Sequence, residues 1–166
     1  MSGKTGKSKT EGSMTKSSTI DDTAENRPAG SGTYLLDQQV GFLLRRVQQR
    51  HLAIFFDHIP TLTSTQFAAL AKLCEVGSVS QNELGRRTAM DAATIKGVVD
   101  RLRTRGLAET IKDRTDQRRL LVRPTKAGRS AFDRYRSAAL DVTRETLAPL
   151  TQKEADRLLS LLSKLT

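Results

Sequence analysis

From Tyr34 onward the chain is a succession of apolar stripes separated by short polar breaks, and most of the stripes carry a helical period. Tyr34 to Phe56 predicts the first helix. Leu36, Val40, Leu43, Val47, Ile54 and Phe55 form its stripe, and Leu35, Phe42, Leu44, Leu52 and Phe56 widen it beyond one packed face. Asp57 to Leu62, with Pro60, predicts a turn. Thr63-Ser64-Thr65-Gln66 then reads as a capping box. The helix it opens runs to about Glu75, before Gly77, with Phe67, Leu70, Leu73 and Cys74 inward. Ser80-Gln81-Asn82-Glu83 reads as a second box: the serine accepts a backbone N–H and Glu83 reaches back to the cap, starting a short helix to about Thr88. Asp91 caps a further helix, Ala92 to about Arg105, whose inward face is Ile95, Val98, Val99 and Leu102. Gly106 ends it.

The period then changes. Leu107 to Ile111 and Leu120 to Val122 have strand character and flank a charged turn, Lys112 to Arg119, which predicts a hairpin. Thr125 caps a long helix from about Lys126 to Leu147, with Phe132, Tyr135, Ala139, Val142 and Leu147, and Pro149 interrupts it. Thr151-Gln152-Lys153-Glu154 starts the last helix. Its stripe of Ala155, Leu158, Leu159, Leu161, Leu162 and Leu165 is too apolar for a lone exposed terminus and needs a partner surface. The expected fold is mainly α with a small β-wing: a winged helix-turn-helix between long terminal helices.

Two basic surfaces carry the candidate chemistry. Opposite the apolar face of the Asp91-capped helix stand Ala93, Thr94, Lys96, Gly97, Asp100, Arg101 and Thr104, with no large apolar member. Ala93 and Gly97 permit close approach to a groove, while Thr94, Lys96 and Arg101 can reach base edges or phosphates. The hairpin tip, Asp113 to Arg119, supplies Arg114, Arg118 and Arg119, guanidiniums suited to phosphates or a minor groove. Taken alone, the helix face reads more readily as an ordinary solvated surface. The adjoining hairpin favours the DNA reading.

The run DRTDQRRLLVRPTKAG resembles the wing of the multiple-antibiotic-resistance-regulator (MarR) family. Asp113, Asp116, Arg118, Thr125 and Gly128 match its pattern, while Gln117, Arg114 and Pro124 replace the common arginine, proline and leucine. Gln81, Glu83, Leu84, Thr94, Asp100, Arg101, Leu102 and Gly106 are also spaced as in that family, and the resemblance covers roughly residues 35 to 165. It implies a homodimer with interlocked terminal helices that binds a pseudo-palindromic double-stranded DNA operator, with recognition helices roughly 34 Å apart. It also implies a small effector, often an aromatic acid. The expected divisions are residues 1–33, a disordered N-terminal tail; 34–62, an N-terminal dimerisation helix; 63–125, the DNA-binding unit; and 126–166, C-terminal dimerisation helices.

Composition sharpens the choice of partner. The chain has 166 residues, 37% hydrophobic and 28% charged, with net charge +10, which suits one soluble domain. Residues 1–33 hold five basic side chains (Lys4, Lys7, Lys9, Lys16, Arg27) and four acidic ones (Glu11, Asp21, Asp22, Glu25). Nine of the ten net positive charges therefore belong to the remainder, which favours a polyanion. The near-balanced tail has too few large apolar residues to offset its ordering entropy, so a DNA-following arm is the less favoured use of it. No apolar run suits a membrane helix or a secretory signal, and Cys74 is the sole cysteine, so the expectation is a cytoplasmic protein without membrane partners.

Catalysis lacks candidates. His51 and His58 are the only histidines, with no nucleophile or metal-ligand spacing beside them, and no Gly-rich phosphate loop occurs; neither enzyme activity, metal nor cofactor is expected. The two histidines share a helix face with Val47 and Ile54, and Arg45, Arg46 and Arg50 add positive charge. These five residues are the candidate ligand site, because the family resemblance places small ligands here and guanidiniums can neutralise an aromatic acid or its coenzyme A thioester. The alternative is that the histidines are satisfied interface residues and the arginines solvated or ion-paired. The segment LDQQVGFLLRRVQQRH is similar to regulators of aromatic-acid catabolism. Cys74, on an apolar stripe, reads as an inert buried thiol. The leading function is a ligand-released transcriptional repressor; the alternative is an architectural nucleic-acid-binding protein without a ligand.

Overall fold

The computed structural model describes residues 33–166, and the tail reading for residues 1–33 falls almost entirely outside them. Elements follow in the order α1 (Val40–His58), α2 (Ser64–Val76), α3 (Gln81–Arg87), α4 (Ala92–Thr104), β1 (Ala108–Lys112), β2 (Leu120–Pro124), α5 (Lys126–Leu147) and α6 (Gln152–Leu162). Two departures from the sequence reading have local causes. The first helix starts six residues later than Tyr34, after a single 3-10 turn at Leu36–Gln38. Gln39 is extended and spends its side-chain amide on the Leu35 carbonyl (2.9 Å) instead of capping. It then continues to His58, past Phe56. In the second box only half the exchange forms: Ser80 Oγ accepts from the Glu83 N–H (3.3 Å), but the Glu83 carboxylate is drawn to Arg86 and to Arg87 (2.7 Å) along its own helix.

The remaining caps form as read. Thr63 and Gln66, and Thr151 and Glu154, close full capping boxes, and Asp91 and Thr125 accept from the third backbone N–H of their helices. The hairpin pairs Ala108 with Pro124 through Lys112 with Leu120, antiparallel, and Val79 bridges Val122 from outside it. Pro124 tolerates its place because it ends an edge strand.

Ile59, Leu70, Leu73, Leu84, Ile95, Val99, Leu102 and Val142 are fully buried, joining α1, α2, α3, α4 and α5 around one core. The start of α5 is welded to the hairpin. Thr125 Oγ1 donates to the Gly106 carbonyl (2.6 Å) and accepts from the Gly128 N–H (3.0 Å), and a Cβ on Gly128 would lie 2.0 Å from the Leu107 carbonyl oxygen. No side chain fits there. The terminal helices are different: α6 buries only Ala155, and Val40, Leu43, Leu44, Val47, Leu159, Leu161 and Leu165 are all exposed. No helix among the described residues is long and apolar enough to cross a membrane.

Candidate nucleic-acid interface and ligand cavity

Helix α4 is held by its four apolar residues, Ile95, Val98, Val99 and Leu102, so its opposite side faces outward. Ala93, Thr94, Lys96 and Arg101 are exposed there, with Gly97 half-buried. Asp91 sets the register of this face. Its carboxylate accepts from the Thr94 N–H (2.7 Å) and hydroxyl (3.0 Å), and those two bonds hold its carboxyl below the usual aspartate range. Lys96 leans on Asp100 (3.2 Å), and Arg101 extends back beside Gly97. A side chain at position 97 would therefore meet the Arg101 guanidinium.

The two aspartates of the tip build it. Asp113 accepts from the Thr115 N–H and hydroxyl (both 2.9 Å), and Asp116 accepts from the Arg118 N–H (3.0 Å), each a side-chain-closed turn. Hydrogen bonds from Thr115, with the Arg119 guanidinium 4.0 Å away, hold the Asp113 carboxyl below its ordinary value. Among the described residues Arg114 and Arg118 have exposed side chains with no ion-pair partner. The aspartates thus supply geometry and leave the arginines free.

The five candidate ligand residues do not form one site: Arg50, His51 and His58 all reach Glu145 or Thr146 at the end of α5, while Arg45 and Arg46 do not. His51 lines a cavity of about 450 Å³ with Phe55, Ser64, Phe67, Met90 and Val142, gathered from α1, α2, α5 and the α3–α4 turn. Thr146 donates its hydroxyl hydrogen to the Val142 carbonyl (2.7 Å), so the 3.0 Å contact with His51 Nδ1 requires that nitrogen to donate. Nε2 is left as the imidazole's free nitrogen. Arg50 donates to the Glu145 (3.0 Å) and Thr146 (3.4 Å) carbonyls, and His58 Nε2 meets the Glu145 carboxylate (2.9 Å). Both tie α1 to the end of α5 and stay outside the cavity. Arg45 and Arg46 are exposed and lie 5.5 and 5.8 Å from the Phe42 ring centroid. Successive residues on a helix point in different directions, which is why a cluster in sequence is not a cluster in space.

Sequence reading missed Phe55, Ser64, Phe67, Met90 and Val142 as cavity residues. Ser64 and Met90 carried no signal, and the others read only as core. Cys74 is half-buried instead of buried; desolvation pushes its thiol up, opposed by Arg129 and aided by Asp133. Among the described residues no group of three or more metal-ligating side chains occurs.

Comparison with known proteins places this geometry. A sequence model of the MarR family matches residues 61–119. The HTH-type transcriptional repressor NicR of Pseudomonas putida is 37% identical over 145 residues, covering 86% of this chain and 92% of NicR. A probable transcriptional regulator from Pseudomonas aeruginosa superposes with a TM-score of 0.78 at 50% identity, over 80% of this chain and 100% of that one. BpsR of Bordetella bronchiseptica, whose DNA binding is regulated by 6-hydroxynicotinic acid, does so with a TM-score of 0.78 at 38% identity, over 81% and 97%. Helix, turn, helix and wing thus agree with these relatives over nearly their whole length, and the chain belongs to the MarR family of transcriptional regulators.

Proposed function

We propose that this protein is a cytoplasmic, non-enzymatic homodimeric repressor whose grip on a pseudo-palindromic operator is released by a small aromatic acid. The observation that carries the reading is the cavity containing His51. Its wall includes α1 and α5 on one side and Thr88, Ala89 and Met90, the turn leading into α4, on the other. A ligand there touches both the frame and the reading head. One that fits the dimer with wrongly spaced recognition helices lowers operator affinity by its preference for that state.

Thr94, Lys96 and Arg101 contact the major groove, Ala93 and Gly97 allow close approach, and Arg114, Arg118 and Arg119 seat the wing. The exposed apolar residues of α1 and α6 form the dimer surface. In the ligand role, His51 is the polar contact, while Arg50 and His58 hold the α5 end that His51 bonds to. Arg45 and Arg46 reach a ligand only beyond this cavity wall. A cavity of about 450 Å³ is small for a ligand pocket and suits a single-ring acid; a coenzyme A thioester would leave its nucleotide in solvent.

The similarity to BpsR supports a hydroxylated pyridine carboxylate as the effector class. The test is a mobility-shift titration with the protein's own promoter at fixed salt, adding 6-hydroxynicotinate. Release by that acid, lost in His51→Ala, is the expected result. Binding unaffected by any single-ring aromatic acid would overturn the effector assignment.

A further inference from the structure

A second cleft of about 380 Å³ lies between the α1–α2 turn, the end of α4 and the first half of α5, and it shares no lining residue with the cavity of His51. We propose that it is a second ligand site, for a small planar carboxylate, beyond the effector cavity assigned above. Two guanidiniums border it. Arg105 is anchored, donating to the Thr61 carbonyl and more weakly to Gln66 Oε1 (3.4 Å). Arg134, exposed on α5, has no hydrogen-bond or ion-pair partner among the described residues, and neither does the Ser130 hydroxyl one turn before it. Tyr135 closes one end through its hydroxyl, 2.8 Å from Thr61 Oγ1. The buried Leu62, with Leu107 and Ala131, supplies apolar wall.

The chemistry of this set is selective. Among the described residues no acidic side chain lines the cleft, and its two guanidiniums favour an anion. The carbonyl end of α4 opposes an anion there, but two guanidiniums and the first turns of α5 outweigh one helix end. A free, planar fork of donors matches a carboxylate in two-point fashion. The apolar wall discriminates against a bare inorganic anion, which gains nothing from it. Position gives the site a use: Arg105 caps the recognition helix and Thr61 belongs to the turn leaving α1, so an occupant bridges those two elements.

The experiment is a titration of the full-chain dimer with benzoate, followed by amide shifts. Two separate groups of residues respond: one around His51 and Ser64, the other around Thr61, Arg105 and Ser130 to Tyr135. Arg134→Gln, at an exposed position that leaves folding intact, weakens the second response at least about tenfold and spares the first. The proposal is overturned if the second group is silent, if it survives Arg134→Gln, or if inorganic phosphate produces it equally well. Failure of the effector cavity shows separately, as silence of the first group.

Discussion

At the residue scale, single atoms decide whether the pieces meet. Gly128 is an example: with a Cβ 2.0 Å from the Leu107 oxygen, Gly128→Ala must shift backbone at the junction of α5 and the hairpin. We expect a loss of about 2–3 kcal/mol, read as a lower denaturant midpoint. Asp91 offers a pH test. Its folded carboxyl is held below its ordinary value, so its contribution is present above the unfolded pKa and fades as pH falls through the folded one. Asparagine caps equally well without titrating. Asp91→Asn should therefore leave the neutral-pH melting temperature nearly unchanged and flatten its fall between about pH 5 and 2. A mutant curve parallel to wild type would show that Asp113, Glu83 and Glu154, all shifted the same way, carry the acid sensitivity instead.

At the element scale, what was legible in the sequence is what is local. Thr63, Ser80, Asp91, Thr125 and Thr151 cap the helices they were read to cap, because a side-chain oxygen three residues from an N–H acts within one turn. The start of α1 was misread because Gln39 has a competing backbone partner that periodicity does not reveal. The cavity was illegible for a larger reason: four elements distant in sequence build its wall, and only long-range packing brings Ser64 and Met90 to His51. The apolar stripes of α1 and α6 were legible, and Val40, Leu43, Leu44, Val47, Leu159 and Leu161 of them are left exposed within one protomer. Each fully buried leucine is worth about 1.5–3 kcal/mol. Replacing Leu159 by Glu should thus weaken dimerisation by one to two powers of ten per site, about the factor that this energy implies, seen in sedimentation at micromolar chain. An unchanged dimer would move the interface off α6.

At the scale of the whole molecule, charge and conformation make separable demands on DNA binding. Arg118 has an exposed side chain at the hairpin tip, and under the proposed function a dimer would present two copies to one operator. If both neutralise phosphates, Arg118→Ala lowers the slope of log affinity against log salt by about two per dimer and leaves the dimer intact. If they instead read bases in the minor groove, affinity falls with little change in slope, but only on the cognate site. Effector release obeys a different constraint. Whatever factor 6-hydroxynicotinate takes from operator affinity, operator DNA must take from 6-hydroxynicotinate affinity, since both report one coupling free energy. For a coupling of about 1–3 kcal/mol the factor is roughly 5 to 150. Calorimetric titration of the acid into free dimer and into the dimer–operator complex measures it from the ligand's side, and a mobility shift measures it from the DNA's side. A finite factor, with the acid still binding the dimer–operator complex, is the outcome expected if the His51 cavity and the α4 face belong to one two-state molecule; direct competition would abolish binding to the complex. Equal ligand affinity with and without operator would mean zero coupling, and the acid could then not release DNA by binding this dimer.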